Sequence, residues 1–151
     1  MKVSEFILKW CMRLYPPLLM QRIWIQNIND NFKQAKVKVI RSVFTMNFGK
    51  AVFGGTLYAA TDPFYAMLLG QILLRRHLKI SIWVRSAKIQ FIKPAQSSLY
   101  YNIHIPDEEI EEIVTKLDKE GFVIKTFTIR MESKNKILHV IASNELFIRK
   151  L

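Results

Sequence analysis

Residues 4–20 place Phe6, Ile7, Trp10, Cys11 and Leu14 at helical spacing, with Lys9 and Arg13 between them. This predicts an amphipathic helix or helical arm over about residues 1–20, ended by Pro16-Pro17. From Ile23 to Ile28 and from Ala35 to Val43 the period falls to two, which predicts two strands joined by a turn at Asn29-Asp30-Asn31. In the second strand Ala35, Val37, Val39, Arg41 and Val43 share one face, while Lys36, Lys38, Ile40 and Ser42 share the other. Such alternation belongs to a sheet with one wet side. Residues 56–74 are apolar nearly all round and predict a buried helix, which Pro63 should kink or restart.

Beyond that helix the two-residue period returns. Ile80, Ile82 and Val84 are followed in shifted phase by Ala87, Ile89 and Phe91, so a bulge is expected near Arg85-Ser86. Ser98 to Ile105 alternates with Leu99, Tyr101, Ile103 and Ile105 inward. Asp107 is expected to cap a short surface helix with Ile110, Ile113, Val114 and Leu117 as its apolar positions, closed by Gly121. Two last strands, 122–132 and 137–149, flank a turn around Ser133 to Lys136. Together these elements form an α+β domain, an antiparallel sheet with one helix packed on it, and residues 1–151 read as a single domain.

Composition narrows the class. Half the residues are apolar, and five Gly and five Pro are too few for disorder. No apolar run approaches the roughly eighteen residues of a membrane helix. The first residues lack the uninterrupted apolar run and small-residue cleavage site of a signal peptide. One cysteine, Cys11, excludes an intrachain disulfide and suits a reducing cytoplasm, where it is expected as a small buried apolar residue. The net charge is +11, unevenly placed: residues 106–121 carry seven acids and two lysines, −5, so the remainder sums to +16. Residues 1–48 hold eight basic and two acidic side chains, +6, and Arg75, Arg76 and Lys79 form a second cluster. Such a field attracts nucleic acid, anionic lipid or a phosphorylated cofactor, or simply keeps the surface solvated. No recognition module or aromatic RNA-binding signature is present, which argues against nucleic acid. Membrane contact is left open without being called for.

The segment Asn47 to Tyr65, NFGKAVFGGTLYAATDPFY, carries the chemistry. Gly54-Gly55 before a helix lets the backbone come close to a ligand and aims free N–H groups at it, or it forms a tight turn alone. Asp62 is a lone carboxylate among apolar residues and must be exposed, paired or employed. It either faces substrate or caps the helix restarted by Pro63, and the two roles are compatible. A phosphate loop is excluded because Gly55 stands where its lysine belongs. His77, His104 and His139 are dispersed without ligand partners, so no metal is expected.

The element order and the Gly-Gly entry to a buried helix resemble the hot-dog fold, a curved antiparallel sheet wrapped around a long central helix. Within it, Asn47, Gly49, Gly54, Gly55 and Asp62 are similar to the motif of acyl-CoA thioesterases of the phenylacetyl-CoA type, with Phe53 where that motif has His. Tyr15-Pro16-Pro17, Phe53-Gly54-Gly55, Leu57-Tyr58, Asp62-Pro63-Phe64-Tyr65, Phe91-Ile92-Lys93-Pro94 and Phe147-Ile148-Arg149-Lys150 resemble, more closely, the DUF4442 branch of thioesterase-like hot-dog proteins.

The resemblance implies a dimer or tetramer that hydrolyses an acyl-CoA thioester between subunits, with coenzyme A as part of the substrate and no separate cofactor. Asp62 would be general base or nucleophile, with Asn47 placing substrate or water. The Gly54 and Gly55 amides would hold the carbonyl oxygen. Phe53, Thr56 and Tyr58 would border the substrate, and Ser81 or Ser86 would assist from the following strand. Lys50, Arg75, Arg76, Arg85, Lys88 and Lys93 are available for coenzyme A phosphates. Phe53 removes a polar group from the turn, which fits a non-catalytic acyl-CoA or fatty-acyl binder equally well and argues against a dehydratase.

Overall fold

In the computed structural model, which describes residues 1–151, the Ser4 hydroxyl accepts the Ile7 amide and starts α1 (Glu5–Leu14). Helix α1 ends at the extended Tyr15, before Pro16-Pro17 as expected, and the two prolines then begin a second short helix, α2 (Pro16–Met20). The reason is physical. The first turn of a helix has no use for an N–H, so proline fits there.

Strands β1 (Ile23–Asn29) and β2 (Gln34–Val39) pair antiparallel around a turn in which Asp30, Asn31 and Phe32 all take positive φ. The second strand stops four residues short of Val43. The Arg41 amide bonds the Ser98 hydroxyl, and Val43 is exposed instead of facing the core. The central apolar stretch divides, as Pro63 requires, into α3 (Gly54–Ala59) and α4 (Pro63–Arg75). Phe64, Tyr65, Leu68, Leu69, Ile72 and Leu73 of α4 are buried in the main core.

Strand β3 (Ile80–Phe91) carries the expected irregularity between Val84 and Ser86, which returns Ala87 and Ile89 to the inner face. After β4 (Leu99–His104), α5 (Asp107–Glu120) spans the expected residues and buries Ile110, Ile113 and Leu117 of its apolar positions. Pro106, not Asp107, holds its N-cap position, and the Asp107 carboxylate takes the Lys33 ammonium at 3.1 Å. Gly121, at φ 78°, closes it in the left-handed region. Strands β5 (Phe122–Glu132) and β6 (Leu138–Lys150) complete one antiparallel sheet of order β1-β2-β4-β5-β6-β3.

Two features of that sheet break its regularity. Strands β4 and β5 meet only at Tyr100 opposite Glu132 and then separate. A cleft of about 530 Å³ opens there, lined by Lys36, Tyr100, Asn102, Arg130 and Lys136 among others. The two edges also differ. Beside β1, Arg13 of α1 donates from Nε to the Ile25 carbonyl at 2.8 Å and from Nη2 to the Gln26 carbonyl at 3.0 Å. No strand pairs with the outer edge of β3, and its core-side residues Ile82, Val84 and Ile89 are only partly covered.

Candidate functional site

The break between α3 and α4 is the centre of the site. Pro63 has no amide hydrogen, and the carbonyls of Ala60 and Thr61 receive no helical bond. Two buried side chains from the sheet serve them instead. The Tyr101 hydroxyl donates to the Ala60 carbonyl, and Asn144 Nδ2 donates to the Thr61 carbonyl at 2.8 Å. The Thr61 hydroxyl bonds back to the Tyr58 carbonyl at 2.8 Å. Burial holds the Tyr101 phenol well above its ordinary pKa, so it stays a donor. Tyr65, one turn into α4, is pushed up to about 12 by burial and then by the Glu109 carboxylate. Asn144 Oδ1 is buried without a hydrogen-bond partner.

This scaffold fixes Asp62 at the break. Its backbone is helical, its amide donates to the Ala59 carbonyl at 3.4 Å, and its exposed carboxylate makes no capping bond, hydrogen bond or ion pair. The carboxylate is therefore unused within the chain. Gly55 and Tyr58 of α3 and Met67 of α4 are exposed, as is Asp62 at the break between the two helices.

The glycine pair makes room for two aromatic rings. A side chain on Gly55 would collide with the Phe53 ring, and a Cβ on Gly54 would lie 3.2 Å from Phe91 Cζ. Both rings stay about half exposed, Phe53 at 56% and Phe91 at 54%. The Thr56 and Leu57 amides bond the Phe53 carbonyl, while those of Gly54 and Gly55 have no acceptor. Two bare amides framed by phenyl rings remain at the head of α3.

The other sequence-derived residues divide. Asn47 accepts the Ala51 amide on Oδ1 at 3.1 Å, capping its own turn, and makes no hydrogen bond to Asp62 or the glycines. Thr56 is buried; Phe53 and Tyr58 are exposed beside the glycines. Ser81 and Ser86 pair with Arg149 and Glu145 and alternate with the core-side Ile82 and Ala87, so they point away from the central helix. Of the basic residues, Arg75 is bonded to Gln71 and Val3, and Arg76 to Glu111 at 2.6 Å. Lys50, Lys88 and Lys93 make no ion pair. No three His, Cys, Asp or Glu side chains gather into a cluster that can hold a metal. Cys11 is exposed rather than buried. Sequence reasoning missed Tyr101 and Asn144 as the residues that hold the break. Their only signal was a polar atom on an otherwise apolar strand face. Asp62, Gly54 and Gly55 line none of the surface clefts of 340 to 530 Å³.

Comparison with known structures defines the class first. A Pseudomonas aeruginosa protein of unknown function, described as a probable thioesterase, superposes with a TM-score of 0.80 at 11% identity, covering 100% of this chain and 99% of its own. A thioesterase from Haemophilus influenzae gives 0.70 at 11% identity, over 100% of this chain and 94% of its own. A mutant of the phenylacetic acid degradation protein PaaI from Thermus thermophilus gives 0.60 at 12% identity, over 87% of this chain and 97% of its own. The chain therefore has the hot-dog fold. No curated protein matches it in sequence. The chain belongs to the family described as a domain of unknown function, DUF4442, whose model matches residues 4–143.

Proposed function

We propose that the protein hydrolyses an acyl-CoA thioester at a site that two copies of the chain complete together. One observation carries this reading: an unpartnered carboxylate, Asp62, stands exposed at the break in the central helix, whose head bears two unbonded amides. In hydrolysis the Gly54 and Gly55 N–H groups hold the carbonyl oxygen as it gains negative charge. Asp62 takes a proton from water, and the resulting hydroxide adds to the carbonyl carbon. Collapse of the tetrahedral intermediate breaks the carbon–sulfur bond, and the thiolate recovers the proton. Asn47 Nδ2, the half of its amide not used in the turn, is free to position substrate. Phe53, Phe91, Tyr58 and Met67 offer apolar surface to the acyl chain, and Lys88 and Lys93 offer unpaired ammonium groups to phosphate. Coenzyme A is part of the substrate and the reaction needs no cofactor.

The open edge of β3 and the half-covered side chains beneath it support a dimer formed there. It would set the site of one copy beside the other. A thiol-release assay over acyl-CoAs of several chain lengths tests the reading. Asp62→Asn should lower kcat/KM by about a hundredfold or more, with unchanged melting because the side chain bonds nothing. Turnover equal to wild type would return Asp62 to a structural role.

A second reading rests on Phe53. Its ring leans over Gly55 where the related motif has a polar His, and this suits an acyl-CoA binder without turnover. Saturable binding with no thiol released would select that reading.

A further inference from the structure

We propose that the arm formed by α1 and α2 docks on the surface of an anionic lipid bilayer. Helix α1 has two apolar faces. Leu8 and Met12, one turn apart, are buried against the domain. On the opposite side Phe6, Trp10 and Leu14 recur at four-residue spacing with Ile7 beside them, and all are exposed, Phe6 at 66% and Leu14 at 61%. Tyr15, Leu19 and Met20 extend the exposed strip along α2. A helix with one apolar face is explained by its own core. The second apolar face is left without a partner in the chain.

Aromatic contacts make the strip continuous. Phe6 and Trp10 meet edge to face at 6.3 Å between ring centres. The Arg13 guanidinium lies between Trp10 and Trp24, 4.8 and 4.5 Å from the ring centres. Trp24, Leu19, Arg22, Lys38 and Ile40 line one shallow cleft, and Arg22 sits 5.3 Å from the exposed Phe44 ring. Amphipathic Trp, Phe and Leu flanked by cations suit the boundary between headgroups and acyl chains.

Charge selects the occupant. Residues 1–48 carry eight cations and two acids, and both acids are engaged: Glu5 Oε1 accepts the Phe32 amide at 3.0 Å, and Asp30 faces Lys33 at 3.6 Å. Lys2, Lys9, Arg22 and Lys38 thus surround the strip without a neutralising partner. Two copies meeting through this face would bring like charges together. An anionic bilayer would accept the apolar ridge and attract the cations with the same contact. No helix is long and apolar enough to cross a membrane, so the contact lies in the plane of the surface.

The test uses the full chain and vesicles of phosphatidylcholine alone or mixed equally with phosphatidylglycerol. Cys11, exposed on the flank of the ridge and unique in the chain, takes an environment-sensitive fluorophore. Co-sedimentation with the anionic vesicles only, together with a blue shift of the label, is expected. Trp10→Ser with Leu14→Ser should weaken vesicle binding by about tenfold or more while thermal melting confirms a folded protein. Phe6→Ser serves as a second variant if the double change fails to fold. Absence of binding would overturn the proposal, as would binding by charge alone that the apolar substitutions leave unchanged. So would a change in oligomeric state on substitution with no change in vesicle binding, because the ridge would then cover a second copy.

Discussion

At the scale of single residues, the site depends on how a broken helix is held. Asn144 donates to the Thr61 carbonyl and Tyr101 to that of Ala60, across 83 and 41 residues of sequence. Removing a donor strands a buried carbonyl, so Asn144→Ala should cost about 1–3 kcal/mol, measured as a fall in Tm, and thiol release should fall further because Asp62 loses its fixed place. A variant with lowered Tm but unchanged turnover would separate Asn144 from the function of Asp62. Local sequence could show Pro63 and Asp62 but not these partners, since hydrogen bonds between distant segments leave no periodic trace. Phe53 was legible as a departure from a motif. Its ring lying over Gly55, close enough to meet any Cβ placed there, was not.

At the scale of elements, the sequence was a good guide to faces and a poor one to edges. Side-chain alternation revealed the inner faces of β3 and β4, and the phase change at Arg85-Ser86 revealed the bulge. The separation of β4 from β5 was invisible, because pairing is made by backbone groups and the inward pattern of Tyr101, Ile103 and Ile129 is the same either way. Helix α5 was legible as a surface helix with one apolar stripe, and Ile110, Ile113 and Leu117 of that stripe are buried. It is also tied to β5 by charge. Glu112 lies 2.8 Å from both Lys116 and Lys125, and bonds to these two hold its carboxyl at about 2. A carboxyl held below its ordinary value near 4.5 stabilises the fold above that pH and loses the effect as pH falls toward 2. Glu112→Gln should therefore melt below wild type at neutral pH, with the gap closing between about pH 4.5 and 2; a pH-independent gap in thermal melts would deny the ion pairs that role.

At the scale of the whole molecule, the sheet has one closed edge and one open one, and this asymmetry decides how the protein can assemble. At β1, the outward carbonyls of Ile25 and Gln26 are taken by Arg13, whose guanidinium is itself packed between Trp10 and Trp24. At β3, twelve residues run along the boundary of the sheet with no strand paired beyond them. A two-fold axis at β3 would pair that strand with its own copy and cover the partly buried Ile82, Val84 and Ile89, leaving the cationic arms at the far ends. The uneven charge was visible in the sequence, but which edge it guards was not, because Arg13 finds its acceptors only after α1 has docked along β1. Arg13→Ala should expose two carbonyls and cost about 2–3 kcal/mol of stability from the lost charged hydrogen bonds. It should also open a second edge, so that light scattering after size exclusion, which should give a dimer for wild type, gives larger and concentration-dependent species for the variant. A variant that remains strictly dimeric would mean that α1 blocks the edge by its bulk alone, and a monomeric wild type would remove β3 as the contact on which the proposed shared site depends.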